Sequence, residues 1–339
     1  MDNNGKRLLI TGAGGFIGGY IVAAALECGY ETWAAVRKTT NREFLQDERI
    51  RFIELDFTDE ESLATTLREH VNQHGPWHHL VHNLGATKCT NYLDFERINH
   101  GYLRLLVETL RTIQALPRHL VFISSLSVMG PGDEQQYTPF TGDNVPQPNT
   151  RYGTSKLKAE VFLQSQADVP HTILRLTGVY GPHERDYFMM MKSIKRGFDF
   201  SVGFRKQMLT FVYVKDVAQA VMCALAHKPQ GRAFFISEPR AYTQQEFRQL
   251  VCRQLGKRWV VPVTCPLWLV RTVCAVAEWW GKLTLKPSTL NGDKFKILKQ
   301  RNWLCDTTPA RQHLGFTAQY TLERGLQEAI EWYRQAGWL

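Results

Sequence analysis

Three side chains in this 339-residue chain are spaced so that they could share one acid–base site. Tyr152 and Lys156 stand four residues apart, which places them on the same face of a helix. An ammonium group beside a phenol stabilises the phenolate, so we expect Lys156 to lower the pKa of Tyr152 from its ordinary value of about 10. A tyrosine of this kind can exchange a proton with an alcohol or carbonyl oxygen. Ser125 ends an apolar run typical of a strand, and that strand would deliver its hydroxyl to the same crevice.

A glycine-rich segment near the amino terminus has the spacing of a phosphate-binding loop. Gly12, Gly15 and Gly18 lie between a predicted strand and a predicted helix. Glycine there permits a tight turn, an approach to a pyrophosphate without an intervening Cβ atom, and close packing of helix on strand. The amides of Phe16 and Ile17, at the start of the helix, can donate to phosphate oxygens with help from the helix dipole. The order of strand, loop and helix therefore predicts a dinucleotide site.

The residues after the second predicted strand bear on the choice of dinucleotide. Sites that prefer NAD usually carry an acid about 20 residues beyond the glycines, which accepts from the ribose hydroxyls. Arg37 stands 19 positions after Gly18, with Lys38 beside it, and two cations could pair with a 2′-phosphate. NADP(H) is therefore favoured and NAD(H) is the alternative, although a solvated basic strand end would explain the same two residues. After the third strand, Asp56 could accept from the adenine amino group, and Phe57 belongs to the same predicted cofactor site.

The elements that must position these residues alternate between strand and helix in the first half of the chain. Short apolar, β-branched runs are predicted as strands at 7–11, 31–36, 51–55, 79–82, 119–124 and 172–176, with helical patterns at 15–28, 60–73, 95–115 and 151–166. This alternation predicts an α/β fold of the Rossmann type, a doubly wound parallel sheet, with a smaller, mainly helical carboxyl-terminal substrate cap. We assign residues 1–180 to the NAD(P)-binding domain, with 208–237 returning to it, and residues 181–207 and 238–339 to the cap.

Composition argues against several other classes of protein. The chain has 41 Lys and Arg against 32 Asp and Glu, a net charge of +9, but no dense basic run interleaved with aromatics, so nucleic-acid binding is not expected. Its seven cysteines are scattered and never form a C-x-x-C pair, which predicts reduced thiols and no metal site. No apolar run is long enough to cross a bilayer and no signal peptide precedes the first strand. We therefore expect a cytoplasmic protein without an integral membrane segment.

Ordered motifs give the chain a resemblance to a known family. Thr11–Gly18, Ser124–Gly130, Tyr152–Lys156 and Arg175–Pro182 resemble the motifs of the extended short-chain dehydrogenase/reductase family, also called the NAD-dependent epimerase/dehydratase family. The resemblance continues through 211–217 to 310–316, so it covers most of the chain.

The resemblance implies roles for individual residues. Tyr152 would be the general acid/base, Lys156 would bind the nicotinamide ribose, and Ser125 would orient and polarise the substrate oxygen. Gly85 would let the backbone approach the cofactor, and Val179 would also lie in the cofactor site. Members of the family often pair through two of the predicted helices, which makes a homodimer the expected assembly.

Departures from the family pattern bear on the substrate. Leu126 and Ser127 stand where nucleotide-sugar dehydratases carry an Asp-Glu pair, so dehydration is not expected. Leu209 stands where nucleotide-sugar epimerases carry an arginine that clamps the substrate diphosphate. Gly178 stands where they tend to carry an asparagine.

The leading hypothesis is an NAD(P)-dependent oxidoreductase that interconverts a secondary alcohol and a carbonyl on a non-nucleotide small molecule. Arg37 supports it, because an arginine at the end of the second strand resembles the pattern of the branch that contains the dihydroflavonol reductases and the 3β-hydroxysteroid-dehydrogenase-like reductases. One alternative is an NAD-dependent sugar epimerase, in which Arg185, Arg205 or Lys206 would replace the diphosphate clamp. Another is a non-catalytic NADP-binding sensor or scaffold, and the intact catalytic set counts against it.

The segment Pro266–Leu285 is rich in tryptophan. Trp268, Trp279 and Trp280 stand there among Leu, Val and Ala. The pattern favours a cap helix packed on the domain, with a hydrophobic substrate lid or a membrane-surface contact as alternatives.

Overall fold

A computed structural model describes residues 3, 5–89, 91–284 and 291–339 of the chain. The strands are β1 (Arg7–Thr11), β2 (Glu31–Val36), β3 (Arg51–Glu54), β4 (His79–His82), β5 (His119–Ser125), β6 (His171–Leu176), β7 (Gly178–Tyr180), β8 (Phe198–Val202), β9 (Met208–Leu209), β10 (Phe211–Tyr213), β11 (Arg232–Ile236), β12 (Tyr242–Thr243) and β13 (Val261–Cys265). Seven of them form one sheet in the order β11–β6–β5–β4–β1–β2–β3, and all its neighbouring pairs are parallel.

Helices cover both faces of this sheet. They are α1 (Phe16–Glu27), α2 (Glu60–His74), α3 (Leu93–Glu96), α4 (Tyr102–Thr112), α5 (Arg151–Gln164), α6 (Asp186–Lys195), α7 (Val214–His227), α8 (Gln244–Leu255), α9 (Leu267–Thr284), α10 (Gly292–Lys299), α11 (Thr308–Leu314) and α12 (Leu322–Gln335). The predicted fold class, a Rossmann-type α/β sheet with a helical carboxyl-terminal region, is confirmed. The predicted tryptophan-rich helix is α9, and Leu285 lies outside the described residues.

The central strands are apolar throughout because both faces of the sheet are covered. Leu8 and Ile10 of β1 pack into one core with α1 and α7, whereas Leu9 packs into a second core on the opposite face with α2, α4 and α5. Successive side chains of a strand point to opposite faces, so a strand buried on both sides carries no polar alternation. The parallel arrangement brings the carboxyl ends of the strands to one edge, where ligands bind in open α/β sheets.

The cap is built around a third core, which is largely aromatic. Tyr180, Phe211, Tyr242, Phe247 and Tyr333 are all buried there. Three short pairs of strands accompany it: β7 with β10, β9 with β12, and β8 with β13.

The division into domains stays a prediction, and the contacts bear on it in two places. β11 joins the edge of the main sheet beside β6, and α7 packs against α1, which agrees with residues 208–237 lying with the first half. Ala310 and Leu314 of α11 pack into the same core as β1, although residues 238–339 were assigned to the cap.

Two further properties concern the helices and the cysteines of the described residues. Of the helices seen in this part of the chain, none combines the length and the apolar character needed to span a bilayer. The seven cysteines are free thiols, of which Cys274 is buried and Cys28 is exposed.

Candidate active site

The glycine loop forms the turn that the sequence predicts. Gly12 has a φ of +68°, in the left-handed region, and a Cβ atom on it would lie 2.8 Å from the Leu84 amide nitrogen. A Cβ atom on Gly18 would lie 2.1 Å from the Gly12 carbonyl oxygen. Glycine is therefore required at both positions by close backbone contact.

The start of α1 suits an anionic ligand. The helix begins at Phe16, its first turn contains no acidic residue, and the residue before it, Gly15, offers no capping side chain. The amides of Phe16 and Ile17 thus lack a side-chain acceptor among the described residues, and the positive end of the helix dipole adds to their attraction for phosphate. The residues present fit a dinucleotide pyrophosphate.

Arg37, Lys38 and Asp56 lie near the carboxyl ends of β2 and β3, all exposed to solvent. Hydrogen bonds from Thr58 hold the pKa of Asp56 below its usual value, and the positive charge of Arg37 lowers it further. In the part of the chain that the structure describes, Arg37 and Lys38 form no ion pair. Phe57 instead points into the core, where its ring centroid lies 5.2 Å from that of Tyr102.

The three predicted catalytic residues come together at the carboxyl end of β5. Ser125 is the last residue of β5 and Tyr152 is the second residue of α5, and the Ser125 hydroxyl lies close enough to the phenol to lower its pKa. The Thr150 side chain caps α5 by accepting from the Gly153 amide at 3.0 Å, which fixes where the helix begins. Lys156, one turn further along, is 4% exposed, and its Nζ donates to the Ile123 carbonyl oxygen at 2.9 Å.

The pKa of Tyr152 differs in direction from the sequence prediction. Burial raises it to about 12, and the hydrogen bond from Ser125 offsets only part of that rise. The prediction assumed that the Lys156 ammonium would favour the phenolate, but that ammonium donates to a backbone carbonyl. Burial also lowers the pKa of Lys156 to about 8, against the opposing effect of the Glu160 carboxylate.

Asn99 holds the loop after β4 against α5. Its side-chain oxygen accepts from the Ala86 amide at 2.7 Å, and its Nδ2 donates to the Ala86 carbonyl at 3.0 Å and to Ser155 Oγ at 2.9 Å. A Cβ atom on Gly85 would lie 3.0 Å from both Asn99 Oδ1 and Lys156 Nζ, so glycine allows this close packing. The single helix predicted over 95–115 is interrupted here by a π-helical turn at 97–101, and the helical part ends at Thr112.

A buried ion pair lies behind the catalytic residues, and the motif analysis missed it. Arg175 Nη2 lies 2.7 Å from Glu160 Oε2, and the two side chains are 7% and 1% exposed. Arg175 Nε also donates to both carboxylate oxygens at 3.2 Å, and the Ser124 hydroxyl donates to Glu160. Helical spacing places Glu160 one turn after Lys156 and could have suggested that it lies near the site. The sequence around Arg175, a residue of β6, does not indicate which acidic residue it pairs with.

Contacts from the cap close over the amino end of α5. Glu278 of α9 accepts from the Tyr92 hydroxyl and from the Gly292 amide. Asp293 of α10 accepts from the Arg151 amide at 2.7 Å, directly beside Tyr152. Because these pairs join residues far apart in the chain, no motif signalled them.

The residues that depart from the family pattern, Gly178 and Leu209, are closely packed against aromatic side chains of the cap. A Cβ atom on Gly178 would lie 2.3 Å from the Tyr187 hydroxyl, so Tyr187 fills the space that a larger side chain would need. Leu209 packs beside the aromatic core of the cap, and Val179 lies in β7 against the main core.

The cations proposed to replace the diphosphate clamp have other contacts. Arg185 lies over the Trp338 ring at 5.8 Å and Lys206 over the Tyr137 ring at 6.0 Å. Arg205 lies 3.8 Å from the Glu134 carboxylate. A search of the described residues also finds no group of three His, Cys, Asp or Glu side chains that could hold a metal ion.

The parallel sheet, the glycine loop and the serine–tyrosine–lysine set define a Rossmann-type enzyme that uses a nicotinamide dinucleotide. The chain belongs to the NAD dependent epimerase/dehydratase family, whose model matches residues 8–237. The predicted resemblance is thus confirmed at the level of the family. The finer preference for the reductase branch stays a prediction.

Relatives of several activities resemble the chain over nearly its whole length. A ceramide reductase of Caulobacter vibrioides is 23% identical over 97% of this chain and 95% of its own. UDP-glucuronate 4-epimerase 4 of Arabidopsis thaliana is 26% identical over 98% of this chain and 76% of its own. The crystal structure of a UDP-glucuronic acid 4-epimerase from Bacillus cereus in complex with NAD superposes with a TM-score of 0.75, at 19% identity, over 97% of this chain and 99% of that one.

Proposed function

We propose that this enzyme catalyses reversible hydride transfer at a secondary alcohol carbon, with Tyr152 as the acid/base. The juxtaposition of Ser125 and Tyr152, with Lys156 buried one turn away, is the observation that carries the proposal. When bound, the nicotinamide accepts or supplies the hydride at its C4 atom.

The residues of the chain provide the proton and the orientation. In the direction of oxidation, Tyr152 takes the hydroxyl proton as the C–H bond gives up its hydride and the carbonyl forms; in reduction, the phenol returns that proton to the oxygen. Ser125 donates a hydrogen bond to the substrate oxygen and so favours the geometry of transfer. Lys156, buried one turn along α5 from Tyr152, would bind the nicotinamide ribose.

The cofactor site is proposed around the loop and the first strands. Gly12, Gly15 and Gly18 would admit the pyrophosphate, with the amides of Phe16 and Ile17 as donors. Arg37 and Lys38, exposed and without ion pairs among the described residues, would face a 2′-phosphate, which favours NADP(H) over NAD(H). The neighbours solved with NAD support the alternative cofactor.

The relatives favour epimerisation as the net reaction. The curated proteins that resemble the chain include two UDP-glucuronate 4-epimerases and a dTDP-L-rhamnose 4-epimerase. An epimerase of this type would oxidise a sugar hydroxyl and return the hydride to the opposite face of the carbonyl, leaving the cofactor unchanged. This hypothesis has more support from the comparisons than the leading hypothesis of the sequence analysis.

Reduction of a non-nucleotide substrate is the second candidate. Leu209 provides no cation for a diphosphate, and Tyr187 fills the space beside Gly178. The relative named ceramide reductase is consistent with a substrate of this kind. A non-catalytic sensor or scaffold would have no need of Ser125 and Tyr152 together.

The test compares the purified protein with a Tyr152→Phe variant. We expect Tyr152→Phe to lower kcat about 10²- to 10⁴-fold while the cofactor Kd changes by less than about twofold. Tyr30→Phe is the matched control, because Tyr30 is buried at the opposite edge of the sheet. Full turnover by Tyr152→Phe would refute the mechanism.

The net reaction is decided by the fate of the cofactor. Epimerisation of a nucleotide sugar gives no net change in absorbance at 340 nm and a tightly retained nicotinamide, whereas reduction consumes NADPH in proportion to product.

The predicted homodimer is tested by sedimentation, and the predicted cytoplasmic location by fractionation of cells.

A further inference from the structure

Helix α9 presents its apolar side to solvent. Trp268, Val276, Trp279 and Trp280 are between 58% and 69% exposed, and their spacing places them on one broad face. The opposite side contains Cys274, which is 1% exposed, and Glu278, which contacts Tyr92. A cap helix that merely packed on the domain would be oriented the other way round.

The pair of strands that precedes α9 also presents apolar side chains to solvent. Phe198 lies opposite Val261 in the register of β8 and β13, and both are exposed, by 47% and 44%. Asp199, the next residue of β8, points to the other side and lies 3.5 Å from Arg248. A Cβ atom on Gly203 would lie 3.6 Å from Leu267, so the loop after β8 contacts the start of α9.

We call this region the aromatic surface. It comprises the exposed sides of β8, β13 and α9 with the residues that directly adjoin the two strands, and its large aromatic residues are Phe198, Phe200, Phe204, Trp259, Trp268, Trp279 and Trp280. Four of the chain's nine tryptophans are therefore exposed in one region. Such a concentration of exposed apolar area marks an interaction site rather than ordinary surface.

The charged residues near the aromatic surface are mainly basic, which favours an anionic partner. Segments 192–206 and 257–284 carry nine Lys and Arg and only two acids, although the whole chain has an excess of just nine. Both acids, Asp199 and Glu278, are engaged on the inner side. Lys257, Arg258 and Arg271 are exposed and form no ion pair among the described residues.

We propose that the aromatic surface docks onto an anionic phospholipid membrane. Tryptophan is favoured at the boundary of headgroups and acyl chains, and Lys and Arg at its rim are attracted to anionic lipid. A second copy of this chain would bring the same cations against one another, so lipid is the better partner. The protein binds at the interface without crossing it, with α9 in the plane of the headgroups.

Docking would place the active site next to the bilayer. Glu278, on the inner side of α9, accepts from Tyr92, and Asp293 of the following helix α10 accepts from the Arg151 amide. The membrane-facing helix is therefore connected through Tyr92 and α10 to the amino end of α5, where Tyr152 lies. This inference does not depend on the proposed reaction, because vesicle binding is measured without substrate.

The test is flotation of the full chain with vesicles of phosphatidylcholine alone or with 30% phosphatidylglycerol. We expect binding to the anionic vesicles and little to the neutral ones, with a strong loss in 0.5 M salt. The double variant Lys257→Glu/Arg258→Glu should lower the partition coefficient by at least about thirtyfold. Arg232→Glu/Arg311→Glu, the same change in net charge at exposed residues outside the surface, is the control and should bind nearly as the natural chain does.

A second pair of variants separates the apolar contribution. Trp268→Ser with Trp279→Ser removes exposed side chains, so folding and NADPH binding should be preserved while flotation falls at least tenfold. Val145→Ser, at a residue 74% exposed elsewhere, is the control. Failure of the natural chain to float with anionic vesicles would overturn the proposal, as would equal binding to neutral vesicles. A dimer that dissociates on Trp268→Ser, without vesicle binding by the natural chain, would assign the surface to a second copy.

Discussion

Loss of the Glu160 carboxylate should leave the Arg175 guanidinium charged and without a partner inside the protein. The pair is 1% and 7% exposed at its side chains, and three contacts of 2.7 to 3.2 Å join it. Breaking a buried pair by removing one member typically costs about 3–5 kcal/mol, because the remaining charge is desolvated without compensation. We therefore expect Glu160→Leu to lower the free energy of unfolding by that amount, a large share of the 5–15 kcal/mol usual for a domain.

A double-mutant cycle measures the interaction directly. Glu160→Leu, Arg175→Met and the double variant are unfolded in urea, and the free energies are compared at equal m-values. The double variant should be more stable than the sum of the single losses implies, since it removes both buried charges together. The exposed pair of Arg104 and Glu108, 2.8 Å apart, is the control, and Glu108→Leu should cost about 0.5 kcal/mol or less.

The result that would refute this reasoning is specific. Single losses from Glu160→Leu and Arg175→Met that simply add in the double variant would show no coupling between the groups. A loss from Glu160→Leu no larger than that from Glu108→Leu would show that the buried charge is solvated by other means.

Three further predictions address Lys156, Gly178 and Arg37. Burial lowers the pKa of Lys156 to about 8 from 10.5, so the unfolded chain binds the proton more tightly than the folded chain does. Because of this residue, the free energy of unfolding should rise by about 3 kcal/mol between pH 8 and 10.5. In urea unfolding, Lys156→Met should lack that rise, and parallel pH profiles of stability for the two proteins would contradict the prediction. Gly178→Ala should lower stability by about 1–3 kcal/mol through overpacking against Tyr187, and Tyr187→Phe should recover part of the loss; an unchanged thermal midpoint would count against the contact. Arg37→Asp should weaken NADPH relative to NADH by roughly tenfold or more in competition titrations, and a constant ratio would show that Arg37 does not face the 2′-phosphate.

The fold and the local part of the site could be predicted because their causes are local. Apolar runs such as Leu8–Ile10 and the glycines after them specify strand, turn and helix within a dozen residues. The spacing of Tyr152 and Lys156 likewise follows from helix geometry alone. Family membership followed from the same short motifs.

The energetics of the site could not be predicted because they depend on distant contacts. The pKa of Tyr152 is raised by burial and lowered in part by Ser125, while the Lys156 ammonium donates to the Ile123 carbonyl. The orientation of α9 was equally hidden, since a helix that is apolar on most faces gives no sign of which one meets the protein. The contacts of Glu278 with Tyr92 and Gly292, and the burial of Cys274, identify the inner side.

The π-helical turn at 97–101 makes the length of this segment critical. A π turn accommodates one more residue than an α-helix of the same rise, and it is placed where Asn99 faces Ser155. Deleting a single residue between α3 and α4 would replace the π turn by regular α-helical winding, so the flanking turns would keep their places and the bulge that presents Asn99 would be lost. Asn99 would then turn away from Ala86. Substitutions at most of these positions leave the backbone path intact, whereas a one-codon deletion would not, so natural variants of this chain should differ here in residue type and keep the same length.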